Sequence, residues 1–415
     1  LGEIGIVGLI AFLSIFLVAG IYIKKVLPFV DSPMSKSLVI GIMAGIFGLG
    51  FNAILIDVFE ASKVAFVLWM LMGVALGLLR LYQKEPIDYF GEITKVLTSV
   101  PAMVVYLTLI TFGVFGMSFQ NFFMGDDFTW LKWAADCKNC ESSLDTIKNY
   151  FLSADGFFYR PGTKIYFYYM HAFFGLYASI YHVISTIAHL ITAVLAMLIS
   201  LRILKNKFFA FLVAFLFVFV SAHGESVYWI AATGHIIAAA SVLFALLMYM
   251  YWKDSKRWIF LLLSLFGTVF GMLFHEFGIV TPLVIIFYDV IFDGRSLIHY
   301  PKKYWYYLLY LITIPSYIWI RNIASSHWFS GDYNYKLSNL PFNIFGNLLG
   351  YIALVFVGTA SLPYYEQIRM YGKEHVFTVV GILLTVFILF GVTYYFLLRK
   401  IQYKQWQVVL FGFGF

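Results

Sequence analysis

The stretch Ile180–Arg202, IYHVISTIAHLITAVLAMLISLR, decides the class of the fold: it is predominantly apolar around its whole circumference and ends on a cation. As an α-helix it rises about 1.5 Å per residue and reaches about 34 Å, enough to cross a bilayer hydrocarbon core of about 30 Å. A transmembrane strand would alternate apolar with polar side chains, and this run does not. Working outward, similar runs occupy roughly residues 4–23, 37–57, 63–82, 101–120, 208–222, 232–252, 258–274, 278–292, 304–320, 343–361 and 376–398, and another begins near 406.

Composition agrees with this reading. Of 415 residues, 62% are hydrophobic and only 12% charged, and the mean hydropathy is +0.86. A soluble domain is about 25% charged and 45–50% apolar, so lipid is the expected solvent for most of the surface. The expected fold class is all-α: a polytopic transmembrane bundle of about 11–13 spans, its first large outer loop carrying short interfacial helices. Residues 1–23 lack the basic start and small-residue cleavage site of a signal peptide. The chain opens on Leu1 and closes inside an apolar run, so a segment of a longer protein is expected.

The cations assign sides. Lys24, Lys25 and Lys36 flank one loop, and Arg80, Lys84 and Lys95 a second. Arg202, Lys205 and Lys207 mark a third, Lys253, Lys256 and Arg257 a fourth, and Arg295, Lys302 and Lys303 a fifth. Alternating spans put all five on one face, which the positive-inside rule makes cytoplasmic. The net charge of +7 therefore answers to lipid headgroups and not to nucleic acid. Arg399, Lys400 and Lys404 break the pattern unless 343–361 fails to cross; its Gly346, Gly350 and Gly358, followed by Pro363, favour a broken or surface-lying helix.

Residues 121–179 form the largest segment outside the spans, on the outer face. In it, Gly125-Asp126-Asp127-Phe128 places adjacent carboxylates at the membrane boundary. Two roles fit. One carboxylate can deprotonate an acceptor hydroxyl while the other positions it or binds a divalent metal; alternatively, one caps a short helix over Thr129–Ala135. Arg160, before Pro161, suits a phosphate, with Lys164 to assist, or a lipid headgroup. Cys137 and Cys140, the only cysteines, suit a local disulfide; a zinc half-site would lack partners at a recognisable spacing. His182 and His189, seven residues apart, share a helix face toward a polar cavity or a helix contact. Glu225, His235, His275 and Glu276 add acidic and imidazole groups from further outer turns.

Together these stretches resemble the multi-spanning C-type glycosyltransferases (the GT-C superfamily), closest to the protein O-mannosyltransferase-like branch that includes membrane modules followed by tetratricopeptide repeats. The resemblance covers about residues 101–320. It is carried by Gly125-Asp126-Asp127-Phe128, Tyr159-Arg160-Pro161, Phe173-Phe174-Gly175-Leu176, Tyr181-His182, His189-Leu190, His223-Gly224-Glu225-Ser226-Val227, and His275-Glu276 with Thr281-Pro282 and Tyr288-Asp289. Two positions depart from it: Gly234-His235 stands where an Arg is usual, and His275 where a Lys is usual. The helices of 1–100 precede the matched module, and 321–415 follow it without a tetratricopeptide segment.

The resemblance implies inverting transfer of a sugar from a polyprenyl-phosphate donor to a hydroxyl of an acceptor protein or glycan. The active face would be extracytoplasmic, on the plasma membrane of a prokaryote. Asp126 or Asp127 would act as base or hold a metal, and Arg160 would meet the phosphate. Glu225 and Glu276 would support the site or face the acceptor. A lipid or polyprenyl-glycan transporter predicts mid-span ionisable groups and an internal repeat; His189 fits the first, and no repeat is visible. A non-catalytic scaffold subunit is the third class.

Overall fold

The computed structural model describes residues 5–52, 62–136, 142–154, 158–220, 224–299 and 305–326, with Gly346, Asn347, Gly350 and Gln367. Every regular element among them is helical, as apolar segments must be if each is to satisfy its own backbone hydrogen bonds. The chain divides into two units, Leu1–Met103 and Val104–Phe415.

The N-terminal unit contains α1 (Gly5–Val26), α2 (Pro33–Asn52), α3 (Ser62–Arg80) and α4 (Tyr89–Leu97). Pro33 opens α2 where its missing N–H costs nothing, and the Ser32 hydroxyl accepts from Ser35 N at 3.3 Å. Tyr22, Val26, Val39, Leu68, Ala75 and Leu79 form the shared core of α1, α2 and α3. Lys24 and Lys25 end α1 and Arg80 ends α3, where cations complement the helix dipole. The short α4 is capped by Asp88, which accepts from Gly91 N at 2.9 Å, and is tied back by Glu92 to Lys25 at 2.9 Å.

In the second unit, α5 (Val100–Phe115) runs across the division and continues as a 3₁₀ turn to Gln120. Three short helices then occupy the long loop: α6 (Asp127–Ala135), α7 (Ser143–Leu152) and α8 (Pro161–Phe174). They are followed by α9 (Ala178–Leu204), α10 (Lys207–Phe219), α11 (Gly224–Tyr228), α12 (Thr233–Ser255), α13 (Trp258–Phe274), α14 (Thr281–His299), α15 (Tyr307–Leu311) and α16 (Thr313–Ile323). Lys205 and Lys256 take left-handed conformations (φ 54° and 57°) at the ends of α9 and α12. These tight turns send α10 and α13 back along their predecessors.

The centre of this unit is α12, packed on α9 and α13. Gly267 and Gly271 on α13 face Ser241 and Ala245, and a Cβ on Gly271 would lie 3.2 Å from that of Ser241. Small residues one helical turn apart let two apolar helices approach where lipid supplies no hydrophobic drive. Ser264 Oγ donates to Ala245 O at 2.7 Å across the same seam.

Among the described residues, four segments are long and apolar enough to cross a membrane: Phe12–Phe29, Val100–Gln120, Ala178–Leu204 and Ile230–Ser255. Pro33–Leu49, Phe66–Arg80, Lys207–Phe219 and Trp258–Phe274 are apolar but shorter. The run expected over 304–320 is described from Trp305 as α15 and α16, which meet at Ile312 with its backbone still right-handed helical. Pro315 lies at the start of α16 and donates no backbone hydrogen bond to the carbonyl four residues earlier, which loosens the junction. The expected segments 343–361 and 376–398, the run from 406, and Cys137 and Cys140 lie outside the described residues, apart from the isolated positions named above.

Candidate functional site

The acidic pair divides its labour. Asp127 is 1% exposed, and its carboxylate is engaged twice. Oδ2 accepts from Met124 N at 2.9 Å, closing the turn into α6, and Oδ1 accepts from Ala231 N at 2.6 Å. Burial pushes this carboxyl above its ordinary range, the two backbone N–H groups pull the other way, and neighbouring Asp126 adds to the rise. Asp126 is exposed and precedes α6 without a side-chain capping bond. The expected cap over Thr129–Ala135 is therefore corrected. The helix begins two residues earlier, and the buried carboxylate reaches backward and across the fold rather than onto the N–H groups of its own first turn.

Ala231 belongs to the 3₁₀ turn Ile230–Ala232, whose last carbonyl lies 3.3 Å from His235 Nδ1 at the start of α12. A carbonyl only accepts, so Nδ1 carries the proton and Nε2 is left with its lone pair. The His235 ring packs against His275, tilted by 37° with centroids 3.9 Å apart. His275 Nδ1 in turn accepts from Phe277 N at 3.2 Å, which puts its proton on Nε2, 3.5 Å from Glu276 Oε2. Burial, then the Arg160 charge, then His235 hold His275 down to about 2, so it is neutral at any ordinary pH.

Arg160 completes the group. Its Nε donates to Glu276 Oε2 at 2.8 Å, across 116 residues of sequence, and its guanidinium lies over the Phe158 ring. The pair is half-buried, with side chains 15% and 23% exposed. Glu276 Oε1 is buried without a hydrogen-bond partner among the described residues. Such an atom carries a desolvation cost of about 1–3 kcal/mol until a donor reaches it. Glu225, in the first turn of α11, is exposed and lies within electrostatic reach of His235, as do Arg160 and Glu276.

Close backbone approach sets these distances. Thr163 Oγ1 donates to Phe274 O at 2.7 Å, joining α8 to the end of α13. Gly234 sits against both, since a Cβ there would be 2.5 Å from Thr163 Oγ1 and 3.3 Å from Phe274 O. In the pair Gly234-His235 the glycine admits α8 and the histidine packs against His275, beside Arg160 and Glu276.

Below the cluster, a cavity of about 420 Å³ runs between α9, α12 and α14. His235, Ser226, Thr192 and His189 give it a polar strip, and Val242, Val280 and Val284 are among its apolar lining. No family model, curated protein or solved structure matches this chain. The chemistry of the site therefore rests on these residues alone.

The other expected residues fall as follows. His189 is 2% exposed, stacked on Phe217 at 4.9 Å and edge-on to Phe115 at 5.2 Å, and it faces the cavity. His182 is 1% exposed and lies against the Asn121 and Val227 backbone, outside the cavity lining. Lys164 is buried: its ammonium sits over the Trp133 and Tyr150 rings and donates to Ser153 O at 3.4 Å. It braces α7 against α8 there, which leaves Arg160 as the phosphate candidate. Each Asp127 oxygen accepts one backbone N–H, and the Asp126 carboxylate is exposed. Among the described residues, no three His, Cys, Asp or Glu converge for an ion.

One cluster escaped the sequence reading. Asp289, fully buried on α14, accepts from Lys253 Nζ at 2.5 Å, from Tyr306 and Tyr307 at 3.2 and 2.7 Å, and from Tyr249. The signal was present: a carboxylate inside an apolar run needs a partner, and a lysine ends the run over 232–252.

Proposed function

We propose that this chain is an integral membrane glycosyltransferase of the GT-C type, with about 11–13 spans. It transfers a sugar from a polyprenyl-phosphate donor to an acceptor hydroxyl at the extracytoplasmic face. The observation that carries the reading is the meeting of Arg160, His235, His275 and Glu276 at one end of α8, α12 and α13, above a cavity with a polar strip and an apolar wall. A lipid-linked sugar needs this combination: an apolar path for the chain, a cation for the phosphate and polar groups for hydroxyls.

In this reading the Arg160 guanidinium, with its Nε on Glu276, turns its Nη groups to the donor phosphate. Asp126 accepts the acceptor's proton as its oxygen attacks the anomeric carbon. The new C–O bond forms as the sugar–phosphate C–O bond breaks, the electron pair stays with the phosphate, and the anomeric centre inverts. Glu276 Oε1 takes a hydroxyl hydrogen from sugar or acceptor. The neutral His275 and His235 keep positive charge from competing with Arg160. Asp127 holds the Asp126 loop on the 230–232 turn.

The test is transfer by the full chain in nanodiscs, from polyprenyl-phosphate-linked sugars beginning with mannose. Asp126→Asn and Arg160→Gln should each lose at least about a hundredfold in rate. Full activity in both would sink the assignment. A second reading, a polyprenyl-glycan transporter, is favoured by one observation: the cavity extends down to His189 within α9. Donor translocation without sugar transfer would select it.

A further inference from the structure

The N-terminal unit carries a groove that the proposed transfer does not use. It lies between α1 and α3, with a volume of about 650 Å³. Ile15, Val18, Leu76 and Gly77 form its apolar length, and Ile15 and Val18 are 46% and 36% exposed. From Ile15 to Tyr22 the helix advances about 10 Å. The character then changes abruptly, and the mouth is made by Tyr22, Arg80, Gln83 and Tyr89.

This mouth is organised. Tyr22 donates its hydroxyl to Gln83 Oε1 at 3.0 Å, and Gln83 Nε2 donates to Glu85 O at 3.0 Å. Of the acids that follow, Glu92 is committed to Lys25 and Lys95, at 2.9 and 2.8 Å, and Asp88 to Gly91 N, while Glu85 forms no ion pair among the described residues. Arg80 forms no ion pair among the described residues. An exposed guanidinium at the end of an apolar slot matches one ligand chemistry, an acyl chain ending in a phosphate.

We propose that the α1–α3 groove binds an anionic phospholipid, its acyl chain along Val18 and Gly77 and its phosphate on Arg80. This rests on reading the chain as membrane-spanning, and is independent of sugar transfer. The positive-inside reading puts Arg80 in the cytoplasmic leaflet, opposite the face from which the proposed enzyme draws its donor. The occupant is therefore a structural lipid. The neighbouring groove between α2 and α3, about 740 Å³, has no cation in its lining and offers only an apolar surface.

Gly77 supplies a clean probe, because a Cβ added there meets nothing within 4 Å, so a larger side chain enters the slot without displacing protein. The experiment is native mass spectrometry of the full chain, titrated with palmitoyl-oleoyl phosphatidylglycerol, with phosphatidylcholine, and with glycerol 3-phosphate lacking acyl chains. Phosphatidylglycerol should form a saturable one-lipid adduct. Arg80→Gln and Gly77→Leu should each weaken it about tenfold, and Arg80→Lys should retain most of it. Thermal unfolding of each variant reports its folding, and Ile15→Trp is a second blocker if Gly77→Leu does not fold. Three results would overturn the proposal: equal binding of phosphatidylcholine, competition by glycerol 3-phosphate, or adducts indifferent to Arg80→Gln. Loss of sugar transfer elsewhere in the chain leaves this readout untouched.

Discussion

Asp126 and Asp127 are adjacent and chemically identical, yet their replacement should have opposite signatures. Asp127→Ala leaves the Ala231 N–H, 2.6 Å from the lost oxygen, buried without an acceptor, while the Met124 N–H, 2.9 Å from the other oxygen on a residue 60% exposed, turns to water. The orphaned donor costs about 1–3 kcal/mol. Relief from burying a carboxylate offsets part of this, leaving a net loss of about 1–3 kcal/mol and a fall of a few degrees in Tm. Asp126 is exposed and caps nothing, so Asp126→Ala should stay within about 0.5 kcal/mol. In a transfer assay, Asp126→Asn should remove about 10²–10⁴-fold of the rate at unchanged Tm. The Asp127 variants should lose rate in step with stability. The pH dependence gives an independent check. The folded Asp127 carboxyl sits above the 3.8 of an ordinary aspartate, so the folded state binds that proton more tightly than the unfolded chain. Its contribution is fully present below 3.8 and is lost as pH rises through the raised folded value. The wild-type minus Asp127→Asn difference in Tm should therefore shrink as pH climbs through that window. An Asp126 variant as destabilised as Asp127→Ala, or an Asp127→Ala variant with unchanged Tm, would refute the division of roles.

Gly234→Ala should lower Tm, because the new Cβ 2.5 Å from Thr163 Oγ1 forces α8 off α12; overpacking of this kind costs about 1–3 kcal/mol, and normal stability would count against the close approach. Lys253→Met strands the buried Asp289 carboxylate, a loss of about 3–5 kcal/mol, while the double variant with Asp289→Asn should recover much of it; strictly additive effects on Tm would show that the two do not interact. His275 is held neutral down to about 2, against 6.5 for an ordinary histidine, so the unfolded chain takes up a proton first as pH falls. Its contribution is present above about 6.5 and erodes toward lower pH; His275→Asn should flatten that limb of a Tm–pH profile, and an unchanged limb would place the titration elsewhere.

The helices were legible because each apolar run must satisfy its backbone within itself, a local requirement that leaves a local trace. The expected 258–274 reappears as α13 (Trp258–Phe274), and 180–202 and 232–252 lie within a few residues of α9 and α12. The run over 304–320 is likewise helical from Tyr307 to Ile323, with Pro315 removing one backbone donor inside it. The site was legible only as an inventory. Outer turns offered Asp, Arg, His and Glu, and nothing in their spacing said which would touch.

Sequence alone determined the helical class, the runs apolar enough to cross a membrane and the sorting of cations to helix ends, because these follow from composition and period. Tertiary structure decided the partnerships. It joined Arg160 to Glu276 across 116 residues, packed His235 against His275, and turned Lys164 onto the Trp133 and Tyr150 rings. It also split one acidic dipeptide into a buried brace and an exposed carboxylate. The reason is geometric: successive residues at a helix start point about 100° apart, and only the packing of the 230–232 turn against α6 determines which of them is buried.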